Sequence, residues 1–146
     1  MKTATETDVT QLNSFLRGEL SAVETYAQAI AKLDDEPALR AKLEDCRMSH
    51  QRRAALLRDE ITHRGGEPAE GSGLWGAFAQ LVEGGAKVFG KKAAIAALEE
   101  GEDHGRDDYK AEIANQDSDL RSFIESKLLP EQLRTHDTVS AMNKAL

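Results

Sequence analysis

The chain is poor in the residues that staple or interrupt a fold. Cys46 is its single cysteine among 146 residues, which excludes an internal disulfide framework and any four-cysteine zinc site. Prolines number three, so the strongest helix breakers are few. No apolar run approaches the roughly 18 to 20 residues that would span a bilayer, and no membrane association is expected. Excess positive charge is also missing. The formal charge of -7 argues against a nucleic-acid partner, because affinity for phosphate backbones rests on clustered Lys and Arg. Local basic spots such as Arg52, Arg53 and Arg58 read as a solvated helix face. The opening MKTATETDVTQ resembles neither a secretory h-region nor an Arg-rich transit peptide, and a cytoplasmic location is the expectation. GAKVFGKK at 85–92 has the spacing of a phosphate loop, but Lys92 stands where Ser or Thr is needed and no strand pattern precedes it.

What is present is helical periodicity. Apolar residues recur every three or four positions along most of the chain, and 40% of its residues are hydrophobic, enough for one domain over 1–146. The first helix is expected from about Asp8 to Leu33, inward at Leu12, Leu16, Glu19, Val23, Tyr26, Ile30 and Leu33. After DDEP at 34–37, with Pro37 suited to a first helical turn, a second helix runs to about Arg64. Its stripe is Leu39, Leu43, Cys46, His50, Ala54 (or Arg53), Leu57 and Ile61. A crossover over about 65–90 carries its own short apolar helix. The third helix, about Lys91 to Asn115, points Ile95, Leu98, Glu102, Gly105, Tyr109 and Ile113 inward. The fourth, about Ser118 to Ala145, offers Leu120, Phe123, Leu128, Leu129, Leu133, His136, Val139 and Met142, with Pro130 set to kink or interrupt it. Two helix hairpins joined by a long crossover predict an all-α, antiparallel four-helix bundle.

One stretch is spelled twice. GELSAVETYAQAI at 18–30 and GEDHGRDDYKAEI at 101–113 share Gly, Glu, Tyr and Ile at the same offsets. The duplicated halves each place a glutamate on one core stripe and a histidine on the next. From a turn near Glu36, Glu19 lies roughly 25 Å back and His50 roughly 21 Å forward, within one turn of each other. From a turn near Asp117, His136 lies about 28 Å away, Glu102 about 22 Å and Glu99 about 27 Å. Depth favours Glu99 and the repeat favours Glu102. Buried ionised groups must be paired or must coordinate a metal. Two glutamates and two histidines at one level would supply an oxygen and nitrogen shell for one divalent ion, zinc, iron or manganese. Tyr26 and Tyr109 read as packing residues or as donors behind the glutamates, packing being the simpler.

The stretches LNSFLRGELSAVETY, CRMSHQRRAALLRDEI, RGGEP, LEEGEDHGRDDY and THDTV, in this order, resemble the ferritin-like superfamily, and within it the small bacterial, rubrerythrin-related members of unknown function. The resemblance implies a ferritin-like bundle and metal ligands at Glu19, His50, Glu102 (or Glu99) and His136. It implies, as expectations, metal handling or redox and stress protection. The family pattern also needs a carboxylate three residues before each histidine, where this chain has Arg47 and Leu133. A complete di-iron set is therefore absent, and Arg47 is placed to neutralise Glu19.

Two functions stand open on these residues. One is a protein that binds a single divalent metal between its helices; the other is a metal-free structural or oligomerisation module whose polar core pairs with itself. Leu74, Trp75 and Phe78 in the crossover form an apolar face suited to packing across the bundle or to a homodimer contact. His63 and His104 are expected on the surface, Cys46 as a small buried hydrophobe, and Glu24 and Glu44 as surface carboxylates.

Overall fold

The computed structural model describes residues 3–33, 35–72 and 90–146, and among them it is helical without a strand. Helix α1 spans Ala4–Ala31, α2 Pro37–His63 and α3 Lys91–Ala114. The last helical stretch has three parts: α4 at Arg121–Phe123, a π-helical turn at Ile124–Leu128, and α5 at Leu129–Ala145. α1 packs along α2, and α3 along α5, so two hairpins lie side by side as a helical bundle. The expected short helix of the crossover, and the face of Leu74, Trp75 and Phe78, lie outside the described residues.

Local chemistry sets most of the helix ends. α1 begins earlier than the apolar period indicates because Thr3 and Glu6 form a capping box: each side chain takes up the other's backbone N–H. Pro37 opens α2 at a position where its missing N–H has no partner to lose. α2 ends in a Schellman arrangement, with Gly65 at φ +82°, its N–H bonded to Thr62 O and the Gly66 N–H bonded to Ile61 O, both 2.9 Å. The chain then runs beside α1. Asn13 bonds the Glu67 carbonyl and the Ala69 N–H, and Ser72 bonds Glu24.

Pro130 does not interrupt the last helix. An α-helix there would set the proline ring against the carbonyl of residue 126 and leave that carbonyl without a donor. The chain instead widens by one residue immediately before it: the Leu129 N–H reaches back five residues to Ile124 O. The inward face that results reads Leu120, Ile124, Leu128, Gln132, Thr135, Val139 and Met142. The apolar pattern had put Leu133 and His136 inside; both are only partly buried.

The core is not one apolar mass. At one end Leu12, Phe15, Leu16, Leu57, Ile61, Leu120, Ile124 and Leu128 pack together; at the other Ile30, Leu33, Leu43, Ile95, Leu98, Val139 and Met142 do. A polar layer lies between these clusters. Each apolar end still carries the hydrophobic contribution to stability. Leu57 is fully buried in the first, and Leu57→Ala should lower the unfolding free energy by about 2 to 5 kcal/mol. Urea denaturation checks this as a lower midpoint at unchanged slope; a loss below about 1 kcal/mol would mean the site collapses around the truncation.

Candidate functional site

The polar layer is built from one residue outward. His50, 3% exposed on α2, puts Nδ1 2.6 Å from Glu19 Oε1 on α1 and Nε2 2.7 Å from Glu102 Oε2 on α3. An ionised carboxylate only accepts hydrogen bonds, so two of them on one ring require a proton on each nitrogen. His50 is thus an imidazolium clamped between two glutamates. Burial and the nearby Arg53 push its pKa down, but Glu102 and Glu19 outweigh them and hold it above the ordinary value.

The tyrosines of the repeat complete the pairing reciprocally. Tyr26 on α1 donates to Glu102 Oε2 at 2.5 Å, and Tyr109 on α3 donates to Glu19 Oε2 at 2.9 Å. Each copy of the repeat hydrogen-bonds the glutamate of the other, which places α1 and α3 antiparallel. These hydroxyls therefore do more than fill space. Phe15 packs on the Tyr109 ring at 4.8 Å between centroids, and the Tyr26 ring packs on His50 at 5.2 Å.

The second cation is Arg53, 1% exposed, and not the surface residue that its basic neighbours suggest. Its Nε lies 3.4 Å from Glu19 Oε2, one Nη bonds Gln132 Oε1, and the other bonds Thr135 Oγ1 at 3.1 Å. Gln132 and Thr135 in turn donate to Glu102 Oε1 at 2.9 and 2.8 Å. Glu102 thereby accepts from Tyr26, His50, Gln132 and Thr135, which fills both of its oxygens. Gly105 makes room for this: a Cβ there would stand 2.7 Å from Gln132 Nε2. Burial alone would raise both glutamate pKa values. For Glu19 the opposing pull comes from Arg53 and then His50, for Glu102 from His50 and then Arg53, and both carboxyls end below the usual range.

Of the five candidate ligands, the structure brings together Glu19, His50 and Glu102. His136 is turned outward, with Nε2 2.6 Å from Asp103 and 3.2 Å from Arg106, because Gln132 and Thr135 occupy the inner face of α5. Glu99 is only partly buried and accepts from Asn143 at 2.8 Å. The repeat, not the depth estimate, identifies the inward glutamate of α3. Arg47 pairs with Glu44 and takes no part in neutralising Glu19, a role that falls to Arg53. Among the described residues no three His, Cys, Asp or Glu side chains are disposed to hold a metal ion. Cys46 is fully buried, and burial pushes its thiol up to about 12. His63 and His104 are exposed, as expected.

The pH dependence of stability follows from these directions. The lowered Glu19 and Glu102 contribute stability that is complete above their ordinary value of 4.5 and is lost as pH falls through their folded values. The raised His50 contributes stability that is complete below its ordinary value of 6.5 and is lost as pH rises through its folded value. Thermal melts should therefore show a maximum between 4.5 and 6.5. His50→Gln should remove the decline on the alkaline side; an unchanged alkaline limb would assign that limb to other groups.

No curated protein and no solved structure matches the chain significantly. Residues 7–115, which take in α1 from its second turn on and all of α2 and α3 but not Gln132 or Thr135, match the family described as "Domain of unknown function (DUF2383)". With that match over most of its length, the chain belongs to this family of unassigned domains.

Proposed function

We propose that this chain is a non-enzymatic, ferritin-like helical-bundle module in which a Glu–His–Glu–Arg layer takes the place of a metal. The observation that carries this reading is the charge balance. Two buried carboxylates, Glu19 and Glu102, face two buried cations, His50 and Arg53, within one hydrogen-bonded set. Such a set is neutral without any added ion. The hairpin packing and the antiparallel α1–α3 pairing support the ferritin-like assignment. The layer's role is to fix which helices pair and at what level, as buried polar groups do in helical assemblies of defined register.

A second reading keeps the metal. Glu19, His50 and Glu102 converge in one place, and loss of the His50 proton would free a ring nitrogen for coordination. A divalent ion there would lie in the field of the Arg53 guanidinium, while His136 and Glu99 are engaged with Asp103 and Asn143. Zinc thus finds three of its four ligands and iron or manganese half of a six-ligand shell, in each case beside a guanidinium, and the residues fit a self-paired core better than a metal centre.

One experiment separates the readings. Elemental analysis of the purified chain, as isolated and after incubation with Fe(II), Mn(II) or Zn(II) and desalting, should find no retained metal. Arg53→Met should leave the layer with an unpaired negative charge and lower stability by about 3 to 5 kcal/mol. About one equivalent of metal, lost in His50→Ala, would overturn the proposal in favour of the metal site.

A further inference from the structure

The glutamates are not equally satisfied. Both oxygens of Glu102 are filled, whereas Glu19 accepts from His50 on Oε1 and from Tyr109 on Oε2, with Arg53 beside Oε2. Among the described residues no second donor reaches Glu19 Oε1. A carboxylate offers about four acceptor positions, so one of them is open on a side chain that is 4% exposed. A cavity of about 50 Å³ lies against that residue, lined by Glu19, His50, Tyr109 and Gln132, with Gly18, Ala22, Gly101 and Gly105 providing the space. It reaches the surface at Ser14 and Asp108, both exposed. A second cavity of about 30 Å³ adjoins it on the Glu102 and Tyr26 side and shares Gly18, Ala22, His50 and Gly101.

We infer that the α1–α3 seam is a binding site for a small neutral hydrogen-bond donor, seated on Glu19 Oε1. The polarity follows from what remains unfilled. The N–H groups of His50 and the side-chain N–H groups of Gln132 are committed to Glu19 and Glu102. Of the buried polar residues lining the cavity, Glu19, Tyr109 and Gln132 have only acceptor positions left: Glu19 Oε1, the Tyr109 oxygen, which donates its own proton to Glu19, and Gln132 Oε1, which accepts from Arg53; the Ser14 hydroxyl and the Asp108 carboxyl stand at the exposed mouth. Neutrality follows from the balanced layer, since a charged guest would bring an uncompensated charge into the core. Size follows from the volume. A water needs about 10 to 15 Å³ by the same measure, so the larger cavity admits a few waters or one molecule of two to four heavy atoms that carries O–H or N–H groups.

The inference uses the charge balance of the proposed function but does not fail with it. Retained metal would overturn that reading, and an empty seam would overturn this one alone. The test uses the full ¹⁵N-labelled chain with formamide, whose NH₂ group supplies two donors. Expected are saturable shifts at the Gly18, Ala22, Gly101 and Gly105 amides, with affinity weakened at least roughly tenfold, the loss of about one hydrogen bond, in Ala22→Leu. Gly18→Ala, which adds one methyl to the wall, gives the same comparison should Ala22→Leu fail to fold. Water-to-amide cross-relaxation at these residues without saturable formamide shifts would support the donor site with water as its occupant. Neither water contacts nor saturable shifts at these residues would overturn the inference.

Discussion

The bundle depends on one imidazolium held between two carboxylates. His50 draws Glu19 from α1 and Glu102 from α3 to the same ring, so three helices are fixed at one level by two hydrogen bonds of 2.6 and 2.7 Å. The remaining contacts of the layer take their places around that bridge. Tyr26 and Tyr109 cross to the opposite glutamate, which sets the antiparallel register of α1 and α3. Gln132 and Thr135 bring the last helix to Glu102, and the apolar clusters close above and below.

Burying such a layer is not in itself stabilising. Removing two carboxylates and two cations from water is expensive, and their attraction at short range roughly offsets that expense when every donor and acceptor is matched. What the layer contributes is selectivity among packings. Leucine and isoleucine stripes interdigitate at several registers of similar energy, but a slip of α2 by one helical turn would break both His50–glutamate bridges and the Arg53–Glu19 pair inside the core. The wrong registers are penalised far more than the right one is rewarded.

How much of this was legible in the sequence depended on whether polarity or period gave the signal. Glu19, His50 and Glu102 are polar residues at apolar positions of clean helical stripes, and the repeat marked the two glutamates and their tyrosines. Arg53 was obscured by its neighbours. Beside Arg52 and Arg58 it looks like one more solvated cation, and only its place next to Ala54 on the inner stripe hinted at burial. Gln132 and Thr135 carried no signal at all, because Leu133 and His136 one residue on are better candidates by hydrophobicity and by metal chemistry. The inward face there is chosen by what Glu102 accepts, a three-dimensional demand that no window along one helix contains. The start of α1 was legible in Thr3 and Glu6 as a capping pair, although the apolar period begins later.

The repeat also shows where the two halves part. α1 and α3 retain the same glutamate and tyrosine and use them symmetrically. Their partner helices do not. α2 supplies both cations, His50 and Arg53, while α5 supplies the neutral donors Gln132 and Thr135 and turns His136 out to Asp103. A second protonated imidazole facing inward would have put positive charge in excess; an amide and a hydroxyl keep the layer neutral. The same arrangement distributes donors unevenly, filling Glu102 and leaving Glu19, among the described residues, one short beside a cavity. The open acceptor on Glu19 is thus a consequence of how neutrality was reached: with both cations on α2, the neutral donors of α5 converge on the glutamate of its own hairpin.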